Sequence, residues 1–344
     1  MRHQAAGKWE VDMHPVRKNS PAPAVLKAVF AAVFSFLAVF HFAAQAHAER
    51  AIDQLRLGAP ETQVPLAPVP SNATLYTAAP GLNVYFINVG QGDSIYIELP
   101  GGHNALIDGG PSNYPTSSLA HFLAAKHVTA IDDVVLTHPH SDHYNGLQYV
   151  FSNLPVRNFY DTRVDNTGTK ADEKLRQTAH DKGVAFFYPE AGQKMDWSEP
   201  GVDIKVFNAC QQPLATNKGE VLNNCSIMFK LSYKGSSILF TGDVQGSAEA
   251  GITAKYGAEL RADVLKVGHH GSKYSSTMPF LDAVKPSRAY IEVGADNNYG
   301  HPTQEALGRL QDIGARVFRT DLNDTMEFSM DGSSLNVPLT PEGN

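Results

Sequence analysis

A cluster of histidine and aspartate residues at positions 138–143 constrains this chain more than any other feature. The cluster reads His-Pro-His-Ser-Asp-His and follows the apolar residues 134–136, which predict a buried strand. A strand that ends in this segment presents His138, His140, Asp142 and His143 to one point. Imidazole and carboxylate ligands without thiolate suit zinc, manganese or iron. We therefore expect a fold that places a metal site at a strand end.

Residues 1–48 predict a signal peptide. The first 27 residues include five basic residues, residues 25–44 form an apolar run, and Ala46-His47-Ala48 matches a small-x-small cleavage site. An uncleaved anchor is the alternative, because the run is nearly long enough to span a bilayer. We expect a periplasmic or secreted protein, or a membrane-tethered one if the segment is retained.

The rest of the chain is long enough for one large domain. Residues 49–80 carry five prolines and little apolar periodicity, which predicts an extended, proline-rich lead-in. Residues 81–335 can bury one large core, and residues 336–344 form a short tail.

The net charge argues against tight, non-specific binding of nucleic acid. Residues 1–48 hold five of the 28 basic and two of the 35 acidic residues, so the remaining chain has a net charge of about −10 with histidine neutral. A tight, non-specific nucleic-acid binder carries the opposite charge.

The chain has only two cysteines, Cys210 and Cys225. A pair in an exported protein more often forms a disulfide than a reactive site, so we expect these two to be joined. Two unpaired thiols are the alternative.

The distribution of predicted elements favours a layered α/β fold. Strands are predicted at residues 82–89, 94–99, 105–107, 133–136, 202–207, 226–232, 237–240, 264–267, 289–293 and 316–318. Helices are predicted at residues 119–126, 170–182, 248–256, 279–284 and 303–312, with another opening near residues 145–151. Strands dominate the first quarter and then alternate with helices, which suits two packed sheets with helices outside.

Four further segments carry residues that suit a metal site. Asp243 follows the strand at 237–240, and the pair His269-His270 follows the strand at 264–267. His301 lies in a Gly-His-Pro segment before a helix, and Asp93 lies in a glycine-rich turn, where it can support a ligand histidine.

Together these residues allow two metal sites. His138 and His140 can hold one ion, whereas Asp142, His143 and His269 hold the other, with Asp243 as the bridge. Two ions activate a shared water, whose pKa falls to about 7, so hydroxide is available at neutral pH. His270 then faces the substrate, although the order of His269 and His270 stays open.

The segments quoted above resemble the metallo-β-lactamase superfamily, and more narrowly the soluble hydrolase domain of ComEC-type DNA-uptake proteins. The matching segments are residues 86–94, 106–110, 136–143, 239–243, 265–272 and 299–302, in the family's order. The resemblance implies a four-layer αβ/βα sandwich over residues 81–335, with metal ions at one edge and hydrolysis of a phosphodiester or related bond.

The chain departs from the wider superfamily at one ligand. Many members place another histidine between the histidine cluster and the bridging aspartate, whereas this chain has only His180 there, on a charged helix that we expect to be exposed. The corresponding place is residues 223–226, as in the ComEC-type branch. A metal site with fewer protein ligands can prefer manganese to zinc. It can also bind its ion only when the substrate supplies oxygen ligands.

The function expected from these features is an exported metal-dependent phosphodiesterase or nuclease that uses metal-bound hydroxide. Asp142, His270 and His301 are its expected catalytic residues. Asp93, Lys266, Ser272 and Asn224 are expected to support the ligands or contact substrate. The cofactor is one or two divalent ions, zinc or manganese, without an organic cofactor. The expected substrate is a nucleotide, DNA or a cell-envelope phosphodiester.

Two alternatives remain open. The same hydroxide can attack the carbonyl of an ester, lactone or β-lactam. A metal-binding module without turnover is the second alternative, since fold alone does not decide function.

We expect the exported chain to be cleaved after Ala48, because basic, apolar and small-x-small segments follow one another in the order that signal peptidase requires. Mass spectrometry of the exported protein should show Glu49 as the first residue. An exported form that retains residues 25–44 would contradict cleavage and indicate a tethered protein.

Overall fold

The computed structural model describes residues 81–210 and 213–330, which form two seven-stranded sheets and the helices around them. The predicted signal peptide, the lead-in and the tail lie outside the described residues. The strands are β1 Leu82–Phe86, β2 Ile95–Glu98, β3 Asn104–Ile107, β4 Ile131–Val135, β5 Val156–Tyr160, β6 Val164–Asn166, β7 Ala185–Phe187, β8 Lys194–Met195, β9 Val202–Asn208, β10 Leu214–Thr216, β11 Met228–Tyr233, β12 Ser236–Phe240, β13 Val264–Lys266, β14 Arg288–Ile291, β15 Arg316–Arg319 and β16 Met326–Met330. The helices are α1 Ser118–Ala125, α2 Ser141–Asn153, α3 Ala171–Asp181, α4 Gly219–Asn224, α5 Gly246–Tyr256, α6 Met278–Val284, α7 Gln304–Asp312 and α8 Thr320–Asn323.

The two large sheets have related topologies. The first has the order β16-β1-β2-β3-β4-β5-β7, and the second has the order β15-β14-β13-β12-β11-β9-β8. In the first sheet β3, β4, β5 and β7 run parallel, and in the second β12 to β15 run parallel. Parallel strands place their carboxyl ends at one edge of a sheet, so each sheet gathers several strand-end loops on the same side.

The inner faces of the two sheets form one hydrophobic core. Leu82, Val84 and Phe86 alternate along β1 and all point into it, as the period of two along a strand requires. Tyr290 of the second sheet is fully buried and stacks on Phe86, with ring centroids 4.3 Å apart. This aromatic contact joins the two sheets across the core.

Helices cover the outer face of each sheet. Leu147, Val150 and Phe151 form the apolar stripe of α2, which packs with α1 and α3 against the first sheet. Helices α5, α6 and α7 bury Ile252, Phe280 and Leu310 against the second sheet. The order helix, sheet, sheet, helix confirms the predicted four-layer αβ/βα sandwich.

The structure extends the predicted pattern and corrects it at one important point. The strands and helices expected from periodicity are present, but β5 to β8, β10, β16, α4 and α8 were not predicted. Helix α2 begins at Ser141 rather than near Asn145, so Asp142 and His143 lie in its first turn instead of a loop. The backbone N–H of Tyr144 donates to His140 O, and Asp142 is an acidic residue of the kind that helix N-termini favour.

No helix among the described residues is long and apolar enough to cross a bilayer.

A disulfide joins Cys210 and Cys225, as predicted. The two cysteines are 15 positions apart, and the bridge ties the end of β9 to the residue after α4. Asn208 in the same strand donates to the carbonyl oxygens of Asn224 and Ser226. The bridge and these hydrogen bonds therefore anchor the segment that leads from α4 to β11.

Removal of the disulfide is expected to destabilise the domain by about 3 kcal/mol in the chain-entropy model, because the unfolded chain regains the freedom of a loop of roughly 15 residues. Dithiothreitol should lower the melting temperature of the native protein by several degrees. The double variant Cys210→Ala/Cys225→Ala should melt at the same temperature as the reduced native protein. Dithiothreitol should not change the melting temperature of this variant. Equal melting temperatures for native, reduced and double-variant protein would show that the bridge adds no stability.

Candidate metal centre

The ends of neighbouring strands bring the predicted metal-site residues together. The histidine cluster follows β4, Asp243 follows β12, and His269 and His270 follow β13. Strand β4 belongs to the first sheet, whereas β12 and β13 belong to the second. The site therefore lies where the carboxyl edges of the two sheets meet.

Asp243 is the centre of this cluster. Its Oδ2 atom lies 3.5 Å from His143 Nε2, 3.6 Å from His138 Nε2, 3.7 Å from His270 Nε2 and 3.8 Å from His269 Nε2. Its backbone N–H donates to Ser226 Oγ at 3.0 Å. One carboxylate oxygen thus faces imidazoles from both sheets.

The side chains form three sets of potential ligands, each within 4.8 Å. The sets are His138, His140 and Asp243; Asp142, His143 and His270; and Asp93, His143 and Asp243. Within the described part of the chain, the buried atoms His143 Nε2, His270 Nε2 and Asp243 Oδ1 make no hydrogen bond. Buried polar atoms normally have partners, and divalent ions would supply them here. The donor set therefore fits one or two divalent ions.

Hydrogen bonds from behind orient the ligand rings. His143 Nδ1 lies 2.8 Å from Asp108 Oδ2, and Thr137 Oγ1 donates to the same oxygen at 2.7 Å. Thr137 Oγ1 also lies 3.1 Å from His138 Nδ1. With protons on both Nδ1 atoms, the Nε2 lone pairs of His138 and His143 face the cluster. Such outer contacts fix ring orientation and tautomer at metal sites.

Close backbone packing positions Asp108 behind His143. The Cβ of an alanine at Gly146 would lie 1.8 Å from Gly109 O, so α2 can approach the loop after β3 only because glycine stands there. Gly109 N–H donates to His143 O at 2.7 Å. This contact holds the first turn of α2 against the carboxylate that orients its histidine.

The electrostatics of the cluster favour bound positive charge. Burial opposes the charged form of His143, but Asp243, Asp108 and Asp142 outweigh burial and raise the pKa of His143 well above its usual value. Burial opposes the charged form of Asp243 too, yet His270, His143 and other imidazoles lower the pKa of that carboxyl well below its usual value. By contrast, burial lowers the pKa of His138. A proton on His143 therefore competes with a metal ion for the Nε2 lone pair of this ring.

The structure groups His270, rather than His269, with Asp142 and His143. His270 Nε2 lies 3.4 Å from Asp142 Oδ2, and Asp142 Oδ2 lies 4.0 Å from His143 Nε2. Both His269 and His270 have left-handed backbone conformations, with φ of 50° and 52°. This tight turn after β13 directs the second ring, not the first, towards the first turn of α2.

His269 lies near Asp243 but also contacts two polar side chains. Its Nδ1 lies 3.3 Å from Gln245 Nε2, and its Nε2 lies 3.5 Å from Asn223 Nδ2. Residues 223–226 were expected to correspond to a further histidine of the wider superfamily, and Asn223 is the residue of this segment that contacts His269. The predicted residue Asn224 points elsewhere: its Oδ1 accepts from Gln245 N–H, and its Nδ2 donates to Ser247 Oγ.

Lys266 lies behind the cluster and not beside a substrate. Its side chain is buried, and Nζ donates to Asp93 Oδ2 at 2.7 Å and to Val267 O at 3.0 Å. Asp93 Oδ1 lies 3.1 Å from His270 Nδ1, which also lies 2.9 Å from Glu292 O. Asp93 therefore contacts a histidine of the cluster, and Lys266 reaches that histidine only through Asp93. Of the two roles expected for Lys266, the buried ammonium beside Asp93 fits support of the cluster and not contact with substrate.

Ser272 is also buried away from the cavity and accepts from Tyr274 N–H at 3.3 Å. The exposed histidine expected on a charged helix, His180, lies on α3 with 79% of its side chain exposed.

A cavity of about 240 Å³ opens in front of the cluster. It is lined by Gln91, His140, Ser141, Asp142, Asp243, His269, His270, Tyr299 and His301. Burial and the nearby imidazoles of His269 and His270 lower the pKa of His301 to about 4, so its ring is neutral at pH 7. A larger cavity of about 600 Å³ lies elsewhere, and none of the predicted site residues lines it.

Sequence reasoning missed three residues of this site. Asp108 had a usable signal, because it follows a predicted strand and precedes two glycines. Glu292 stands inside an apolar run, where a buried carboxyl needs a partner, and its Oε1 accepts from Ser94 N–H. Tyr299 gives no such signal, since an isolated tyrosine in a loop is ordinary.

The fold and this centre define the class of protein. Residues 87–291 match the family model of the metallo-beta-lactamase superfamily, and the chain belongs to that superfamily of metal-dependent hydrolases.

Particular relatives are competence proteins. The chain is 31% identical over 261 residues to ComE operon protein 3 of Bacillus subtilis, covering 71% of this chain and 32% of that protein. It is 29% identical over 245 residues to competence protein ComA of Neisseria gonorrhoeae, covering 71% of this chain and 31% of that protein. The chain thus spans about a third of the length of these curated relatives.

Among solved structures, the chain is similar to zinc-bound PqqB from Methylobacterium extorquens. The sequence identity is 12% and the TM-score is 0.47, covering 71% of this chain and 99% of that chain.

The geometry predicts how metal content responds to substitution. Asp243→Ala is expected to reduce the content from between one and two ions per chain to near zero, because Asp243 belongs to two of the three ligand sets and its Oδ2 also lies 3.7 Å from His270 Nε2 of the third. His270→Ala should lose the ion of one set, whereas His269→Ala should lose less. Inductively coupled plasma mass spectrometry of the purified variants measures this. His180→Ala is the control and should retain all metal. Full metal content in Asp243→Ala would show that this carboxylate is not shared.

Proposed function

We propose that this protein is an exported, metal-dependent phosphodiesterase of the nuclease class. The observation that carries the proposal is the position of Asp243, whose Oδ2 atom lies 3.5 to 3.8 Å from the Nε2 atoms of four histidines from both sheets. Two cations at such a site can hold both non-bridging oxygens of a phosphodiester.

We assign His138, His140 and Asp243 to one ion, and Asp142, His143, His270 and Asp243 to the other. When bound, divalent zinc or manganese lowers the pKa of water and neutralises negative charge on phosphate. The assignment of His270 as a ligand replaces the expectation for His269, because Nε2 of His270 is buried, unpartnered and 3.4 Å from Asp142.

The residues behind the ligands keep the site ready for substrate. Asp108 accepts the Nδ1 proton of His143, and Glu292 O accepts the Nδ1 proton of His270. Each contact reserves the Nε2 lone pair for the cavity side. Prearranged ligands lower the reorganisation needed as negative charge develops on the oxygens of the attacked phosphate.

The shortage of imidazole on the first side supports phosphodiesters over β-lactams. His138 and His140 are the imidazoles of that set, and the segment expected to carry a further imidazole has the amide of Asn223, which lies 3.5 Å from His269 Nε2. Open coordination positions suit a substrate that brings its own anionic oxygens. One relative is named as a competence protein, and the resemblance to ComEC-type DNA-uptake proteins supports a phosphodiester substrate for this chain.

His301 is the proposed contact for substrate oxygens on the open side. Its ring lines the cavity and is neutral at pH 7, so it serves as a hydrogen-bond donor rather than as a positive charge. This differs from the charge-balancing role that a protonated histidine would have.

The substrate proposed is small or single-stranded. A net charge of about −10 without residues 1–48 disfavours long duplex DNA, so a nucleotide, single-stranded DNA or a cell-envelope phosphodiester is the better match. The disulfide supports the proposed periplasmic or secreted location, because such bonds persist in oxidising compartments.

Activity assays test the proposal. The zinc- or manganese-loaded protein is expected to hydrolyse bis-p-nitrophenyl phosphate and single-stranded DNA. Asp142→Ala should lower the rate by about 100-fold or more, because it removes a ligand assigned to one of the ions that stabilise negative charge on the phosphate. His301→Ala should lower the rate less and keep its metal, since it holds no ion in this assignment.

His180→Ala is the matched histidine control and should keep full activity. Metal-loaded protein that is inert on phosphodiesters but opens nitrocefin or a lactone would overturn the proposal in favour of carbonyl hydrolysis. Residual activity in Asp142→Ala equal to that of the native protein would assign the activity to a contaminant.

A further inference from the structure

Tyr299 is an exposed aromatic residue at the mouth of the metal cavity. The residue is 69% exposed, although its side chain also lines the cavity. One face of its ring stacks on His301, with ring centroids 5.8 Å apart and planes 23° apart. His301 in turn meets His269 edge to face at 5.4 Å. The three rings form a series that leads from the metal cluster to solvent.

The loop that carries Tyr299 is held by hydrogen bonds. Asn297 Oδ1 accepts from Tyr299 N–H and His301 N–H, and Asn297 Nδ2 donates to Gly294 O and His301 O. These four bonds from one side chain order the backbone on both sides of the ring. An ordered aromatic face costs little entropy when a ligand stacks on it.

The cavity is too small to hold a whole substrate. Its volume of about 240 Å³ lies below the usual range for sites that enclose a small organic molecule. A phosphodiester group that reaches the cluster must therefore leave an attached group outside, in the region where Tyr299 stands. The chemistry of the exposed ring then selects that group.

We infer that Tyr299 is a stacking platform for a nucleobase attached to the phosphate in the cavity. A planar ring held against His301 offers its outer face to another planar ring, and every base has such a face. The inference rests on the proposed phosphodiesterase function and narrows its substrate to a nucleic acid or nucleotide. A cell-envelope phosphodiester without a ring gains nothing from this contact.

Two phosphomonoesters separate the stacking contact from turnover, because a phosphodiesterase does not consume them. Thymidine 5′-monophosphate carries a base, and glycerol 3-phosphate carries the same phosphate without one. Isothermal titration calorimetry with manganese-loaded protein should show about tenfold tighter binding of thymidine 5′-monophosphate, as expected for one stacked base.

Four variants identify the contact. Tyr299→Ala and Tyr299→Leu should both lose about tenfold in affinity for the base-bearing ligand, and Tyr299→Leu still covers His301, so its loss reports the aromatic face. Tyr299→Phe should bind as the native protein does. Tyr114→Ala is the matched control, because Tyr114 is also 69% exposed but does not line the cavity.

The outcomes distinguish this inference from the proposed function. Equal affinity of the native protein for both ligands, or native affinity in Tyr299→Leu, overturns the stacking contact even if phosphodiesters are hydrolysed. A base preference that depends on Tyr299 supports the contact. If that preference holds but thymidylyl-thymidine is not hydrolysed, the stacking site stands and the phosphodiesterase function fails.

Discussion

The structure depends on the collection of buried carboxylates where the two sheets meet. Asp93, Asp108 and Asp243 are almost fully buried and lie within one cluster, and Asp142 is close by. Burying several carboxylates is unfavourable unless positive charge accompanies them. Imidazoles, Lys266 and divalent ions can each supply that charge. Folding of this edge is therefore linked to the binding of cations. Protons and metal ions compete for the same histidine nitrogens and carboxylate oxygens.

Packing between the four layers aligns the strand ends at this edge. Stacking of Phe86 on Tyr290 fixes one sheet against the other in the core. The glycine contact between α2 and the loop after β3 fixes His143 against Asp108. Each candidate ligand thus stands on, or shortly after, an element whose position is set by packing. This arrangement allows small and open loops to carry the chemistry without losing their geometry.

Much of the architecture could be predicted because it is local. Periodicity identified the strands and helices that cover both faces of the core, and the histidine cluster identified the candidate metal ligands after β4. Four of the strands that escaped prediction are short: β8 has two residues, and β6, β7 and β10 have three each. Periods of two or 3.6 cannot be detected over such lengths. Helix α2 was predicted too short, since its first turn carries ligands instead of an apolar stripe.

The sequence by itself determined the class of fold, the export segment as an expectation, the ligand types and the acidic residue that lies at the centre. Tertiary structure decided which ring of His269 and His270 faces Asp142, because two left-handed residues in succession set the ring directions. It also decided that Lys266 is buried against Asp93 and that Tyr299 borders the cavity. These facts depend on contacts between residues 128 and 173 positions apart or on backbone turns, and no local pattern encodes them.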